Sequence, residues 1–509
     1  MKKVFLLSFL FVLFSVKLFA NNLVIGIPTY FSGTNTIKFT IKWDNSWRVN
    51  SGPSNWDAVW IFVKRQPCGA NGIWSHAVLS STSSDHSVTG TFGLVADAVT
   101  DGMGVFVHRP SAESNAIGSF ATTSEVTLKL SGVYNPELTG SSSSSDNFKV
   151  IGIEMVYVPQ GQFYVGDGRS ITSNSFSNNG GTSPLLINAT KQTNGLGDYS
   201  NYVSDPSYGS VVSLPGSFPL GYNAFYCMKY EVNQQQIVDY LNTLSYDQQA
   251  SRIGVWSGRV PSTVGTYFSY ALNNFRQEIK VITAGTNNTI PAVFGLTNTY
   301  NAFIPAGYLN WQDLTSYLDW AGLRPMTEFE YEKVARGTVY PVANEYAWGT
   351  TKIGTSNGNF SSTNTSSETS NTIYDGNCWY NHNIGPIRSG FAATANSNRS
   401  QAGATYYGAM EFSGNLYEQC VGGAGFNYSS FTTTNGDGAL TNAGLADVTG
   451  WPKSGGLSSG TIFRGGAFNT STSEVRYCQI SDRSFYQGQS ENGNTTRNRE
   501  AGGRGVRSF

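Results

Sequence analysis

Residues able to do nucleophilic, redox or metal chemistry are few in this chain, and most are badly spaced for it. Five cysteines (Cys68, Cys227, Cys378, Cys420, Cys478) and four histidines (His76, His86, His108, His382) are spread over 509 residues. No two cysteines form a CxxC pair, and their number and spacing do not describe a disulfide framework. The odd count leaves at least one thiol unpaired within the chain, where it would behave as a small buried apolar residue. Cys478 is the exception to look at. It stands in "FRGGAFNTSTSEVRYCQISDRS" (463–484), among arginines and after a Gly-Gly turn. It is either a reactive thiol or part of a scaffold, and the elements around it must decide.

Residues 21–138 read as an antiparallel β-sandwich. "TIKFTIKW" places Ile37, Phe39, Ile41 and Trp43 on one face, the period of a half-buried strand. "VWIFV" (59–63) is an unbroken apolar run, as a strand covered on both faces would be. "GVFV" (104–107) and "VTLKL" (126–130) follow, separated by turn clusters. Residues 139–149, with "TGSSSSSDN", have the composition of a flexible linker. A second domain, 150–509, opens with a strand, a turn and a strand. Helical spacing then appears in "VNQQQIVDYLNTL" (232–244) and "NWQDLTSYLDWAGL" (310–323). "TEFEYEKVARG" (327–337) begins with the capping box Thr327 and Glu330 and stops on Gly337. From 338 onward Gly, Asn, Ser, Thr and aromatics dominate without period. So long an irregular stretch needs an organising principle, such as packed rings or a bound cation.

Composition limits the function classes. The net charge is −1 and no basic stripe exists beyond the N-terminus, so nucleic-acid binding has no electrostatic support. Residues 1–20, "MKKVFLLSFLFVLFSVKLFA", pair a Lys-Lys start with a short apolar run and a small residue at Ala20. That predicts a signal peptide and an exported mature chain, periplasmic, secreted or at the cell surface. Nothing downstream is apolar enough to span a membrane.

Four segments then stand in a specific order: "FYCMKYEVNQQQIVDYLN", "LNWQDLTSYLDWAGLRPMTEFEYEKVARG", "YYGAMEFSGNLYEQCVGG" and "FRGGAF…DRSF…GGRGVRSF". Together they resemble the formylglycine-generating enzyme, or sulfatase-modifying factor, family. The resemblance covers about the last two thirds of the chain and implies an irregular C-type-lectin-like fold, giving an α+β protein overall. It also implies a copper(I) centre on two cysteines five positions apart, just after the Gly-Gly strand. Here those positions are Thr470 and Val475, and Ala467 replaces the usual serine. A hydroxyl or methyl group cannot replace a thiolate on a soft ion. Strand alternation would turn Cys478 away from residue 475. The iron branch of the superfamily needs three histidines from a helical domain, and the preceding region here reads as β.

By the same resemblance a structural calcium ion would be held by Glu411 and Glu418 carboxylates and the Gly414 and Leu416 carbonyls. A looser second site falls near Asn359 and Phe360. Arg464, Arg483 and Arg504 read as structural, since guanidinium groups can satisfy loop carbonyls. "NSNRSQAGATYY" and "NCWYN" offer rings and amides suited to binding. The expectation is an exported, non-catalytic family member presenting a surface to a protein or glycan partner. The alternatives are an oxidase with relocated metal chemistry, and a structural component of a cell-surface assembly.

Overall fold

The strand Thr36–Lys42 alternates as its sequence requires, with Ile37, Phe39 and Ile41 buried and the residues between them more open. It pairs antiparallel with Ser124–Lys129, whose Val126 and Leu128 share that face. This computed structural model describes residues 22–509 apart from 68–72, 91–92, 112–115, 119–122, 133, 135–145, 169–174, 204–212, 256–257, 270–273, 287–288, 356–359, 363–364, 366, 373, 395, 424–425 and 486–495. The signal-peptide segment, Cys68, Asn359 and most of the Ser-rich stretch therefore lie outside the described residues.

Opposite the first sheet stands the strand Asp57–Gln66. Its Val59, Ile61 and Val63 meet Ile37, Phe39 and Ile41, with Val105 and Val107 from the neighbouring strand. This is the antiparallel sandwich expected from the alternation. The other face of the same strand carries Ala58, Trp60 and Phe62, which enter a second and larger core with Leu314, Leu318 and Trp320. The unbroken run "VWIFV" thus has its physical reason: one strand is the common wall of two cores.

The sheet continues past the sandwich. Asp57–Gln66 pairs antiparallel with Asn147–Val158, from Asn147 opposite Gln66 to Val156 opposite Asp57. Asn147–Val158 pairs with Phe225–Met228, and that strand with Gly505–Ser508 near the C-terminus. Arg324–Pro325 closes this edge, and Val105–His108 with Val95–Ala98 the other, in an eight-stranded antiparallel sheet. The Ser-rich stretch therefore runs into a ladder already paired to the sandwich.

The expected helices form over Gln234–Leu241, Trp311–Trp320 and Glu328–Arg336. Asn233, Asn310 and Thr327 cap them, each in a reciprocal capping box. The last helix stops on Gly337, whose φ of +69° favours glycine. A further helix, Tyr246–Ile253, gives little apolar period because Gln249 and Arg252 are among its buried residues. Its cap, Ser245 with Gln248, was the only local signal.

Ionic networks organise the irregular half. Glu328 accepts from Arg483 Nε and Nη2, each at 2.6 Å, and from Arg464 Nη1 at 2.9 Å. Arg464 also donates to Glu332 at 2.7 Å, and Arg336 donates to Glu332 at 2.9 Å and to Glu345. Arg497 grips Asp313 at 2.7 and 2.8 Å. Arginines from the final third thus lock irregular chain to two capped helices, which fits the structural reading of Arg464 and Arg483.

Candidate functional site

Three short strands build the floor of the site. Tyr417–Val421 pairs antiparallel with Thr461–Arg464 and parallel with Ala501–Gly502. After Arg464 the chain turns through Gly465 and Gly466, at φ of +89° and +73°. A Cβ on Gly466 would lie 2.5 Å from Cys478 Sγ, so only glycine lets the following segment fold back. That segment, Thr472–Cys478, is a 3-10 helix and not a strand. Strand alternation therefore does not apply. With three residues per turn, Val475 and Cys478 share a side, and both pack on the same apolar cluster.

Thr470 faces the other way. Its Oγ1 accepts the Ala467 N–H at 2.9 Å and lies 3.4 Å from the Tyr417 hydroxyl. The two positions expected to carry the copper thiolates are thus split between two environments. Thr470 lines a cavity of 260 Å³ with Tyr417, Phe463, Phe485, Asn469 and Glu500. Tyr417 and Phe485 stack at 4.2 Å with their planes 1° apart. Glu500 accepts from Asn469 at 2.6 Å and from Arg499 at 3.0 Å. Burial pushes the Tyr417 hydroxyl well above its ordinary range, so it stays a neutral donor and acceptor. The cavity offers rings, amides, hydroxyls and carboxylates, and no thiol among the described residues lines it.

Cys478 lies in the dry interior beside Cys378, and both are at most 1% exposed. Burial, then the contact with Cys478, pushes the Cys378 thiol well up. Cys420 is also buried and raised by desolvation, with Glu418 adding to it. Burial thus favours the neutral thiol at Cys378 and Cys420, and the oxygen donors of the open cavity do not fit copper(I). The histidines are dispersed in hydrogen bonds or stacks of their own. His76 bonds Met103 O, His86 bonds Ser80 O, and His108 bonds Asp97. His382 stacks on Trp379 at 3.5 Å.

The residues expected to hold calcium are close in the fold, but an internal cation is already among them. Both Glu418 oxygens accept from Arg504 Nε, at 2.9 and 2.8 Å. Arg504 also donates to the Met228, Lys229 and Met410 carbonyls. Glu231, which sequence reasoning missed, bonds Leu416 N at 3.0 Å and Asn415 Nδ2 at 2.7 Å. Its signal was the acidic residue of the "KYEV" start. Glu411 accepts from Gly390 N at 2.7 Å, while its Oε2 is buried with no hydrogen-bond partner. Phe360, near the looser second site, packs its ring on Trp379 at 5.1 Å. Cys378, Trp379 and Tyr380 of "NCWYN" are core residues rather than a displayed surface.

Burial pushes the Glu411 carboxyl up to about 7, against Gly390 N–H, Arg504 and Arg388. The folded pKa exceeds the unfolded one, so this group's contribution is complete below about 4.5 and is lost as pH rises through about 7. Glu411→Gln is expected to remove about 3 kcal/mol of that fall. Urea unfolding at pH 5 and pH 8 measures it.

A family model, that of the sulfatase-modifying factor enzyme 1-like domain, matches residues 143–508. The chain belongs to this family. The sulfatase-modifying factor domain thus begins at the Ser-rich stretch and contains the whole site described above. No curated protein matches the chain. Among solved structures, the Major Tropism Determinant U1 variant is similar at 12% identity over 87% of this chain and 82% of that one, with a TM-score of 0.23. The M1 variant gives 13% identity, 88% and 83% coverage, and the same TM-score of 0.23. No helix among the described residues is long and apolar enough to cross a membrane.

Proposed function

We propose that this sulfatase-modifying factor domain is non-catalytic and that the cavity around Tyr417, Thr470 and Phe485 binds a unit of a glycan carried by a partner. The observation that supports this most is the exchange of chemistry at one place. Where the family resemblance implies sulfur ligands, the chain supplies a hydroxyl, a stacked ring pair, amides and carboxylates. Rings cover the apolar face of a sugar, while Asn469, Asn498 and Glu500 suit its hydroxyls. The N-terminal segment supports an exported protein, which would meet such ligands outside the cell.

Two measurements test the reading. Copper(I) titration against a competing chelator is expected to show no stoichiometric binding, and thiol alkylation of the native protein is expected to change nothing. One copper ion bound per chain, and lost on alkylation, would restore the oxidase. A glycan array probed with the wild type and with Thr470→Trp, which fills the cavity, is expected to show signals that the variant loses. An array without signal, or one that the variant matches, defeats the binding proposal.

Calcium remains in the proposal at the Glu411 end alone. Glu418 is taken by Arg504, whereas Glu411 Oε2 and the Gly414 and Leu416 carbonyls of the same loop are oxygen donors. That is fewer than the six to eight oxygens calcium prefers, so water must supply the rest and millimolar affinity is expected. Millimolar calcium should raise the wild-type melting temperature at pH 8 and leave Glu411→Gln unchanged. No rise in the wild type removes calcium from the proposal.

A further inference from the structure

A second cavity, between the sandwich and the helices, holds chemistry that the proposal above does not use. It encloses 530 Å³, and its lining includes Lys64, Trp74, His76, Trp320, Asp437 and Leu440. Lys64 and His76 are direct cross-strand partners, Asp57–Gln66 against Ser75–His76. Their side chains therefore rise from one face of the sheet with Cβ atoms about 5 Å apart. The Phe62 ring lies parallel to the His76 imidazole at 5.9 Å, and Lys64 Nζ sits 5.0 Å from the Trp320 ring centre.

Both polar groups are under-used. Lys64 is 1% exposed, and its amine donates to the Gly438 carbonyl at 3.2 Å without forming an ion pair among the described residues. His76 Nε2 donates to the Met103 carbonyl at 2.7 Å, which leaves Nδ1 as an acceptor, buried and without a partner. Buried polar groups are ordinarily satisfied, so an acceptor left open beside a buried amine in one aromatic-walled cavity points to a ligand.

The facing charges set the protonation states. Burial lowers Lys64 to about 7, against the pull of Asp319 and Asp437. Burial also pushes His76 well below its ordinary range; Lys64 and Arg507 lower it further, and the Met103 hydrogen bond opposes them. Asp447 stands with Asp319 and Asp437 in one carboxylate group. Near neutral pH a large part of the amine is uncharged beside a neutral imidazole. Burial also raises Asp319 to about 7; the acidic group disfavours an anionic ligand and the lysine amine a cationic one, which leaves a neutral ligand.

We propose that this cavity is a second site that binds small neutral aldehydes or ketones and joins them to Lys64 as an imine. The Nζ lone pair adds to the carbonyl carbon, and the carbonyl π pair moves to oxygen. A proton leaves nitrogen, with His76 Nδ1 as its acceptor, and oxygen gains one to give the carbinolamine. Loss of water leaves the carbon–nitrogen double bond, so amine and carbonyl become imine and water with no change of oxidation state. Trp74 and Trp320 wall the space for a flat or apolar ligand body.

The test uses the whole native protein with benzaldehyde and cyanoborohydride, whose hydride reduces the imine to a stable benzylamine. Peptide mapping by mass spectrometry then reads each lysine. At pH 7, Lys64 is expected to label at least about tenfold faster than the exposed Lys38 and Lys352, because far more of its amine is uncharged. Its rate–pH midpoint should fall near 7. His76→Asn, with its fold checked by near-ultraviolet circular dichroism, is expected to slow labelling at Lys64 and leave Lys38 unchanged. Labelling of Lys64 no faster than of the surface lysines, or a midpoint above about 9 as for an ordinary lysine, overturns the site. An unchanged Lys64 rate in His76→Asn overturns the assignment of His76.

Discussion

Glu328→Gln is expected to cost about 3–5 kcal/mol of unfolding free energy. The carboxylate is fully buried and receives three guanidinium donors, two from Arg483 and one from Arg464, as well as the Tyr199 hydroxyl at 3.0 Å. The amide removes the negative charge and leaves the buried Arg483 guanidinium without its carboxylate, while Arg464 keeps Glu332. The loss reports that uncompensated charge rather than the net worth of the pairs. Burial alone would raise the Glu328 carboxyl, but Arg483 and Arg464 outweigh it and hold the group below the ordinary range. Its stabilisation is therefore present above about 4.5 and is lost as pH falls through the lower folded value. Urea unfolding at pH 7 should show the full loss, and the variant's acid limb should be shallower than the wild type's. A midpoint within error of the wild type would mean that the network does not organise the final third of the chain.

Trp60→Ala is expected to cost about 3–5 kcal/mol, and deletion of 22–138 is expected to abolish cooperative folding. Trp60 is fully buried on the wall between the two cores. Its Nε1 donates to the Ala321 carbonyl at 2.8 Å, and the Arg507 guanidinium lies 4.4 Å from its ring centre. The truncation would also strip the partner strand from Asn147–Val158 between Asn147 and Val156. It would leave the ladder's hydrogen-bonding groups unpaired and uncover the core that Ala58, Trp60 and Phe62 close. Size-exclusion chromatography with thermal unfolding of residues 139–509 checks this. A monomer with a sharp transition would show that the family domain is self-sufficient and that the shared sheet is dispensable.

The pocket chemistry was legible only in part. Thr470 and Val475 could be counted from Gly465 and Gly466. Cys478 was assigned its direction on the wrong geometry, because "SEVRYC" has neither the apolar alternation of a strand nor the length of an α-helix, and a 3-10 helix leaves almost no trace in composition. Lys64 and His76 are twelve residues apart in sequence, with no spacing rule to relate them. Only strand pairing makes them neighbours. Glu231 and Arg504 are more distant still, and nothing local to either residue states that one closes a carboxylate cluster around the other.

By itself the sequence determined the local structure: alternation for the sandwich strands, capping boxes and Gly337 for the helices, an ordered set of motifs for the family, and the absence of sulfur at Thr470 and Val475. These are short-range properties, fixed by backbone sterics, hydrogen bonding and side-chain period. Tertiary structure decided which carboxylate each buried arginine neutralises, that Arg504 occupies Glu418, that Cys478 turns into the core beside Cys378, and that one sheet joins both halves. Those outcomes depend on desolvation and on contacts between residues hundreds of positions apart. Their free energy exists only once the chain has closed around them.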